Sequence, residues 1–444
     1  MFYSPVITNA SEAVSNEKLH LFRYVEDPNQ YRIETFEEHG GYRAWKKVLT
    51  SMKPDEVIAQ VKESGLRGRG GAGFPTGMKW SFVPKDSPKP RYLICNADES
   101  EPGTCKDRVI MERDPHAIIE GMAIGGYAIG CHVMFIYIRG EFGECIRRME
   151  AAVEEAYHHG HLGKNVYGSG YDLDMIVHTG GGAYICGEET ALLNSLEGER
   201  GMSRIRPPFP AVAGLYASPT IVNNVESLAT VPHIINNGAA WYKSMGTEKS
   251  AGTKLFSLSG HVKRPGNYEV ELGFSLKKLI YDPEYGNGIL GDKRLKAVIP
   301  GGASTPLLLP DQIDIGLDYE SLTSAGSMLG SGAVIVLNED TCIVWAINKL
   351  IHFFRHESCG KCTPCREGTG WLEQLIGRIE NGNGHPGDIE KIEDICGNIL
   401  GRTICPLGDA AVMPIQSAIK QFREEFEYHI EHKTCMVKSN FEFR

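Results

Sequence analysis

The sequence predicts an α/β protein in three parts: a parallel-sheet α/β domain over residues 1–250, a small α+β domain over 251–338 and a helical bundle over 339–444. In the first part, short apolar runs alternate with helical stretches, as in a parallel sheet covered by helices. Near Gly252 closely spaced strand patterns take over, and from Thr341 the pattern becomes helical. A chain of 444 residues is also too long for one compact core.

The first part shows three apolar runs that predict buried parallel strands. They lie at residues 92–95, 133–138 and 175–178. Helical spacing of apolar residues predicts helices over residues 54–64, from residue 115 onward and over residues 144–158. The polar, mixed stretch 1–50 predicts irregular structure packed on this domain.

The second and third parts differ in the period of their apolar residues. Strands are expected at residues 255–258, 268–270, 297–299 and 333–337, with one short helix at 275–280. Four helices are expected at residues 342–354, 370–379, 389–400 and 410–429, on either side of a cysteine-rich loop.

Composition excludes several classes of protein. The net charge of −10 argues against a nucleic acid or an anionic membrane surface as a partner. The 12 cysteines are scattered, which favours a reducing cytoplasmic compartment over a disulfide scaffold. Residues 1–16 lack the basic and apolar regions of a signal peptide, and no apolar run is long enough to span a membrane. We therefore expect a soluble protein with no direct membrane insertion.

A cysteine loop is the most specific motif in the chain. Cys359, Cys362 and Cys365 recur at every third residue, so three thiolates can converge in a tight loop. Three cysteines at this C-x-x-C spacing with a distant Cys-Pro are typical of a [4Fe–4S] site. Zinc is the alternative, although its sites usually come as two separated C-x-x-C pairs. A buried core face is disfavoured because Ser, Gly, Lys, Thr and Pro fill the gaps.

Two downstream cysteines compete to be the fourth ligand. Cys396 lies where apolar residues recur at helical spacing, which predicts a core position. Cys405 follows Gly401 and precedes Pro406, which predicts a loop. Since a loop wraps a cluster more easily than a helix face does, we predict Cys405 as the ligand.

A glycine-rich stretch, Gly68 to Gly73, satisfies the G-x-G-x-x-G pattern. Glycines allow backbone N–H groups to approach a phosphate closely. A helix precedes the stretch, however, which is the wrong context for a Rossmann fingerprint, and a tight connection is the alternative. Positive charge from Arg67, Arg69 and Lys79 would suit a phosphate. Nearby Phe74, Trp80 and Phe82 could stack on a base or lie in the core.

Acidic and amide side chains follow two of the predicted strands. Asn96, Asp98, Glu99 and Glu101 crowd one strand end, where they form either a solvated loop or a site that binds ribose or ribityl hydroxyl groups. The pair Glu188–Glu189 poses the same choice, and adjacent residues on a helix point about 100° apart, so one of the two would face a ligand.

Taken together, these motifs resemble the family of flavin- and NADH-binding F subunits of bacterial respiratory complex I, the NADH:quinone oxidoreductase. Diaphorase subunits of soluble hydrogenases and formate dehydrogenases share them. The resemblance rests on the sequences at residues 65–77, 96–103, 184–192, 207–210, 222–226 and 357–366.

The resemblance implies a Rossmann-like FMN and NADH domain, a ubiquitin-like middle domain and a helical bundle with a [4Fe–4S] cluster. It implies FMN beside the glycine-rich loop and NADH stacked on the flavin. Phe74, Phe82 and Phe209 would pack around the adenine, and Glu101 and Glu189 would bind the riboses. The full set of implied cofactor-binding residues is Gly68, Arg69, Gly70, Gly71, Ala72, Gly73, Phe74, Gly77, Lys79, Phe82, Asn96, Asp98, Glu99, Glu101, Tyr184, Gly187, Glu188, Glu189, Phe209, Asn223 and Asn224.

The implied activity is oxidation of NADH, with single electrons passing to the cluster and through partner subunits toward quinone. No side chain is expected to act as acid, base or nucleophile, because the cofactors supply the chemistry. The implied partners are other peripheral-arm subunits of the complex, especially a thioredoxin-like [2Fe–2S] subunit and a large multi-cluster iron–sulfur subunit. Through them the chain would sit on the cytoplasmic face of the cell membrane. Two other classes of protein stay open: an iron–sulfur cluster scaffold without flavin, and a nucleotide-binding module whose cysteines bind a structural zinc ion.

Overall fold

The structure, a computed structural model, describes residues 19–437. The expectation about a signal peptide concerns residues 1–16, which lie outside that range. Among the described residues, no helix is both long enough and apolar enough to cross a membrane.

The first part of the chain contains four strands and eleven α-helices among the described residues. The strands are β1 (Tyr92–Ala97), β2 (Val133–Ile138), β3 (Asp174–Thr179) and β4 (Thr220–Asn224). The helices are α1 (Ile33–Glu38), α2 (Arg43–Ser51), α3 (Pro54–Glu63), α4 (Thr76–Ser81), α5 (Lys106–Arg113), α6 (Pro115–Ile129), α7 (Gly143–His158), α8 (Glu189–Leu196), α9 (Pro210–Ala213), α10 (Val225–Asn237) and α11 (Ala239–Lys243).

The four strands form one parallel sheet in the order β3-β2-β1-β4. Successive side chains of β1 point to opposite faces, so Leu93 and Cys95 pack in the core with α6 and α10, whereas Ile94 packs on the other face. The chain leaves β1 for β2 on one side and returns to β4 on the other. The direction of winding therefore switches between β1 and β4, and ligands of parallel sheets bind at such a point.

Two features of this part differ from the sequence-based expectation. The stretch 1–50 was expected to be irregular, but α1 and α2 lie within it and bury side chains such as Trp45 and Val48. Strand β4 and helices α4, α5, α9, α10 and α11 are also absent from the prediction. Tertiary packing supplies the stability that the polar local sequence does not indicate.

The second part is a mixed four-stranded sheet. Its strands are β5 (Thr253–Gly260), β6 (Gly266–Glu271), β7 (Leu295–Ile299) and β8 (Ala333–Asn338), in the order β6-β5-β8-β7. The central pair β5 and β8 is parallel and both outer pairs are antiparallel. Helix α12 (Leu276–Tyr281) packs on this sheet, and α13 (Tyr319–Ser324) follows. This arrangement is the expected ubiquitin-like fold.

The third part is a bundle of four helices: α14 (Ile343–Glu357), α15 (Thr363–Glu380), α16 (Asp388–Ile399) and α17 (Leu407–His432). Their buried side chains, such as Ile351 and Leu372, share one core with Ile94 of the first sheet and Ile299 of the second. Helix α15 begins seven residues earlier than expected, so Cys365 lies in its first turn rather than in a loop.

A buried ion cluster joins the first part to the second. The Glu226 carboxylate, at the start of α10, lies 2.8 Å from Lys106 Nζ and 3.2 Å from Lys254 Nζ. It also accepts a hydrogen bond of 2.8 Å from the Leu255 backbone N–H of β5. Burial alone would raise the pKa of Glu226, but the two ammonium groups lower it. The carboxylate is therefore ionised and fully compensated.

Glu226→Gln is expected to destabilise the fold by about 3–5 kcal/mol, because it leaves Lys254 buried without a carboxylate and Lys106 with Asp107 alone. Chemical denaturation followed by intrinsic fluorescence measures this loss. Asp55→Asn is the matched control, since the exposed pair between Asp55 and Lys85 should contribute little. A Glu226→Gln variant as stable as the control would show that the cluster does not join the two parts.

Candidate cofactor site

The glycine-rich loop folds back on itself between α3 and α4. The Gly68 N–H donates to the Phe74 carbonyl oxygen at 2.8 Å, which closes the loop. Gly73 has a φ of +65°, and a side chain there would strike Tyr319. A Cβ added at Gly70 would lie only 3.2 Å from the Asn224 side chain. The loop therefore brings bare backbone over the carboxyl end of β4.

The remaining small residues of this stretch divide by exposure. Gly71 and Ala72 form the accessible tip of the loop, and Gly71 has a φ of +129°. Gly77 lies in α4, where a Cβ would come 2.4 Å from the Lys62 backbone nitrogen. Gly77 thus allows α4 to pack against α3, whereas Gly70, Gly71 and Ala72 are accessible to a ligand.

The two arginines of the loop do not supply the positive charge expected from the sequence. The Arg69 side chain is 0% exposed and donates to Tyr242 Oη at 2.8 Å and to the Thr253 carbonyl oxygen at 2.9 Å. Arg67 pairs with Glu320 at 2.6 Å and lies over the Tyr319 ring. Both guanidinium groups serve internal contacts.

Lys79 is the cation of this region that lies at the crevice. Its Nζ donates to Glu189 Oε2 at 2.7 Å and to the Val222 carbonyl oxygen at 2.8 Å. The other oxygen of Glu189 accepts from Arg206 at 3.1 Å. Glu189 is thus flanked by two cations, and Arg206 is a site residue that the sequence analysis missed although it directly precedes the Pro-Pro-Phe-Pro motif.

The carboxyl end of β1 places Asn96 and Asp98 beside β4. Asn96 is paired with Asn224 in the sheet register and donates to the Gly187 carbonyl oxygen at 2.8 Å. Asp98 is buried, and among residues 19–437 its Oδ2 atom has no hydrogen-bond partner. Burial raises the pKa of Asp98 to about 7. An orphaned buried oxygen of this kind fits a ligand that brings its own hydrogen-bond donor.

The two glutamates that follow Asp98 serve different elements. Glu99 accepts hydrogen bonds from the Asp107 and Arg108 N–H groups at 2.8 and 3.1 Å, so it caps α5. Glu101 accepts from the Tyr184 hydroxyl at 2.7 Å and from the Ser304 N–H at 2.8 Å. Of these two glutamates, only Glu101 lies with Tyr184 on the side of the cysteine loop. No motif in the sequence predicted that Ser304 would contact Glu101.

The residues around α8 and the end of β4 are also tied to the backbone. Glu188 caps α8 by accepting from the Thr190 and Ala191 N–H groups at 3.1 and 3.0 Å. Asn224 caps α10, where it accepts from the Glu226 N–H at 2.9 Å. Asn223 accepts from the indole N–H of Trp80 at 2.8 Å. Trp80 itself is buried, so of its two sequence-based interpretations the core one is right.

Three aromatic rings are conspicuous for their exposure. Phe74, Phe82 and Phe209 are 46%, 53% and 57% exposed, although large apolar side chains are usually buried. The Phe74 and Phe82 rings have centroids 6.0 Å apart. Phe209 follows the segment that Arg206 ties to Glu189. These rings can receive a flat aromatic ligand beside the loop.

The four predicted cluster cysteines come together at one end of the bundle. Cys359 and Cys362 lie between α14 and α15, Cys365 lies in the first turn of α15, and Cys405 lies just before α17. Burial raises the pKa of Cys365 to about 11, and the neighbouring thiols of the other three add to this rise. Cys396 lies instead on the buried face of α16.

The cysteine loop directly contacts the elements around the crevice. Glu357, just before the loop, accepts a 2.8 Å hydrogen bond from the Tyr184 N–H. Lys361, between two of the cysteines, donates to the Ser203 carbonyl oxygen at 2.7 Å. The crevice beside the glycine-rich loop and the four predicted cluster cysteines are therefore neighbouring parts of one site.

Comparison with known proteins agrees with this geometry. A family profile described as the Nuo51 FMN-binding domain matches residues 61–233. A second, described as the NADH-ubiquinone oxidoreductase-F iron-sulfur binding region, matches residues 345–429. The first match spans the glycine-rich loop and β1 to β4. The second spans all four predicted cluster cysteines.

Similar proteins cover nearly the whole chain. The NADH-quinone oxidoreductase F 2 subunit of Rhizobium meliloti (strain 1021) is 55% identical over 94% of this chain and 98% of its own. The corresponding F subunit of Streptomyces coelicolor is 54% identical over 94% of this chain and 92% of its own. A crystal structure of an NAD+-reducing [NiFe]-hydrogenase in the air-oxidized state superposes with a TM-score of 0.80 at 35% identity, over 94% of this chain and 69% of that one. This chain belongs to the family of NADH-quinone oxidoreductase F subunits.

Proposed function

We propose that this chain is the NADH-oxidising subunit of a respiratory NADH:quinone oxidoreductase. It binds NADH and FMN at the crevice between β1 and β4 and transfers electrons to a [4Fe–4S] cluster held by the bundle. The observation that supports this most is the contact between the two centres, made by Tyr184 with Glu357 and by Ser203 with Lys361. Bound FMN supplies the conversion of a two-electron hydride into single electrons, which an iron–sulfur cluster can accept.

The residues at the crevice fit a flavin mononucleotide. The open backbone of the glycine-rich loop and Lys79 suit its phosphate, and the orphaned Oδ2 atom of Asp98 suits a hydrogen-bond donor. The residues that would hold FMN are Gly68, Gly70, Lys79, Asn96, Asp98, Tyr184, Gly187, Glu188, Asn223 and Asn224. Glu99 and Arg69 support the site from behind, by capping α5 and by anchoring the loop.

NADH would enter along the exposed aromatic side of the loop. The adenine would pack against the accessible rings of Phe74, Phe82 and Phe209. Glu101 and Glu189 would accept hydrogen bonds from the ribose hydroxyl groups. These side chains orient two rings against each other, and the protein needs no acid or base of its own.

The four neighbouring cysteines fit a [4Fe–4S] cluster, with Cys359, Cys362, Cys365 and Cys405 as its ligands. All four are free thiols, and they come from a loop, a helix start and a second loop, so they can surround a compact cluster. We propose three domains on this basis: residues 1–250 bind FMN and NADH, residues 251–338 form the ubiquitin-like domain and residues 339–444 hold the cluster.

A chain with one flavin site and one cluster site must pass its electrons to other subunits. The proposed acceptors are a thioredoxin-like [2Fe–2S] subunit and a large multi-cluster subunit of the peripheral arm, which would place the chain on the cytoplasmic face of the cell membrane. A diaphorase role in a soluble complex is the second candidate. It is favoured by the similarity to the NAD+-reducing hydrogenase, and subunits that co-purify with the native chain distinguish the two.

The absorption spectrum of the purified protein tests the proposal as a whole. Addition of NADH is expected to bleach the flavin bands and to lower a broad visible absorbance from the cluster, because both centres accept electrons. A metal-replete protein without flavin would instead support the cluster scaffold. A colourless zinc protein would support the nucleotide-binding module with a structural zinc ion.

Cys405→Ala is expected to abolish the electron paramagnetic resonance signal of the reduced cluster, since it removes one of four ligands. Cys396→Ala is the matched control, because this thiol lies on the buried face of α16. Loss of the signal in the control with retention in Cys405→Ala would reverse the ligand assignment.

A folded variant that lacks the cluster is expected to keep oxidising NADH with ferricyanide as electron acceptor. The residues proposed to hold FMN all lie in the first part of the chain, so they would still hold FMN, and a soluble oxidant could take its electrons, without the cluster. Steady-state assays on an FMN-loaded cluster-ligand variant measure this. An inactive variant with full FMN content would show that the crevice does not work alone.

Glu189→Gln is expected to raise the kcat/KM ratio of NADPH to NADH by roughly tenfold, about 1.4 kcal/mol. The change removes the carboxylate that Lys79 and Arg206 share and leaves Arg206 with Glu188 at 3.6 Å, so a 2′-phosphate meets two cations that are less compensated. Glu199→Gln, an exposed position close by in the sequence, is the control. An unchanged ratio would remove Glu189 from nucleotide selection while leaving the flavin assignment intact.

A further inference from the structure

A second group of metal-binding side chains lies at the opposite end of the bundle from the cluster cysteines. Cys342 begins α14, His429 lies near the end of α17, and Cys435 follows that helix. One ligand atom of each, the two sulfur atoms and a ring nitrogen, lies within 4.8 Å of the others. Helix α14 spans 15 residues, so about 22 Å separates this group from the cysteine loop. The proposed electron transfer uses none of these three residues.

Cys342 and His429 are in direct contact. The Cys342 sulfur lies 3.4 Å from His429 Nε2, and both residues are buried. Cys342 is also the N-cap of α14, where its sulfur accepts from the Trp345 N–H at 3.4 Å. The positive end of the helix dipole favours a thiolate at this position.

A carboxylate lies close to this group and could supply a fourth donor atom, an oxygen. The Glu380 carboxylate, at the end of α15, lies near the Cys342 thiol. Its Oε2 atom is buried and has no hydrogen-bond partner among residues 19–437. A buried carboxylate oxygen without a partner is costly unless a cation or a donor compensates it. Lys349 is a charged neighbour of this carboxylate, but it makes no hydrogen bond to the Oε2 atom, which a bound cation would satisfy.

We propose that Cys342, His429 and Cys435 bind a zinc ion, with Glu380 in the fourth position. Two thiolates, an imidazole and a carboxylate are the donors that tetrahedral zinc accepts. Binding releases the two thiol protons to water, and no electron is transferred. The ion would tie the segment after α17 to the start of α14 and the end of α15. Its role is structural, because all four positions are filled by the chain.

The ordinary alternative is a set of reduced thiols packed beside a histidine. Cys435 can satisfy itself in that case, since its sulfur lies 3.0 Å from the Val437 carbonyl oxygen. That arrangement leaves the Glu380 Oε2 atom without a hydrogen-bond partner among residues 19–437. A disulfide between Cys342 and Cys435 is a second alternative, and it would also leave the Glu380 oxygen without a partner.

The test uses the full-length protein loaded with FMN and iron–sulfur cluster. Elemental analysis is expected to find one zinc per chain in addition to the cluster iron. Zinc K-edge X-ray absorption is expected to show two sulfur neighbours at about 2.3 Å and nitrogen or oxygen neighbours at about 2.0–2.2 Å. This measurement does not depend on flavin or iron, so it remains decisive if the proposed electron-transfer function fails.

The variants Cys435→Ser and His429→Gln are expected to lose the zinc while keeping FMN, cluster iron and NADH oxidation with ferricyanide. Cys396→Ser, a buried thiol of the same bundle, is the control and is expected to keep the zinc. Three results would overturn the proposal: no zinc in the wild-type protein, four sulfur neighbours and no nitrogen around zinc, or a Cys342–Cys435 disulfide found by alkylation and mass spectrometry. If a variant does not fold, zinc content and X-ray absorption of the wild-type protein decide alone.

Discussion

The arrangement of the first two parts of the chain depends on one buried carboxylate. Glu226 is fully enclosed, and it can be so only because Lys106, Lys254 and a backbone N–H of β5 surround it. A charge at this depth is costly when any partner is missing, so the elements that carry the partners must sit in one arrangement. Glu226 is also the second residue of α10, two positions after Asn224. The ion cluster thereby fixes the end of β4, which forms one wall of the crevice.

The acids around the crevice look alike in the sequence but have separate tasks in the structure. Glu99 and Glu188 cap helices, Glu101 accepts from a tyrosine hydroxyl, and Glu189 lies between two cations. Asp98 alone among these five keeps a buried oxygen without a partner in the described part of the chain. The other four already accept hydrogen bonds or ion pairs within the chain, so Asp98 differs from them in having a buried oxygen that only a ligand would satisfy.

Much of this fold could be predicted from local patterns. Strands β1, β2 and β3 consist of apolar runs bounded by polar residues, and the predicted ranges lie within two residues of the observed ones. Strand β4 could not be found in this way, because Thr220–Asn224 contains only two apolar residues. Its membership in the sheet comes from pairing with β1 rather than from its own composition. The direction of the Arg69 side chain was equally hidden, since a pattern of residue types does not show which face of a loop is buried.

The cysteines show which features of the site local sequence patterns predict and which depend on tertiary packing. Helical periodicity was enough to place Cys396 on a buried face, and a Gly and a Pro were enough to place Cys405 outside a helix. The closeness of the two redox sites is different, because the contacts that make it join residues 173 and 158 positions apart. These contacts lie on the face of the first sheet that α6 and α10 leave uncovered, where the bundle packs. The distance that electrons must cross is therefore set by helix packing on a sheet, a property that no single motif of the sequence contains.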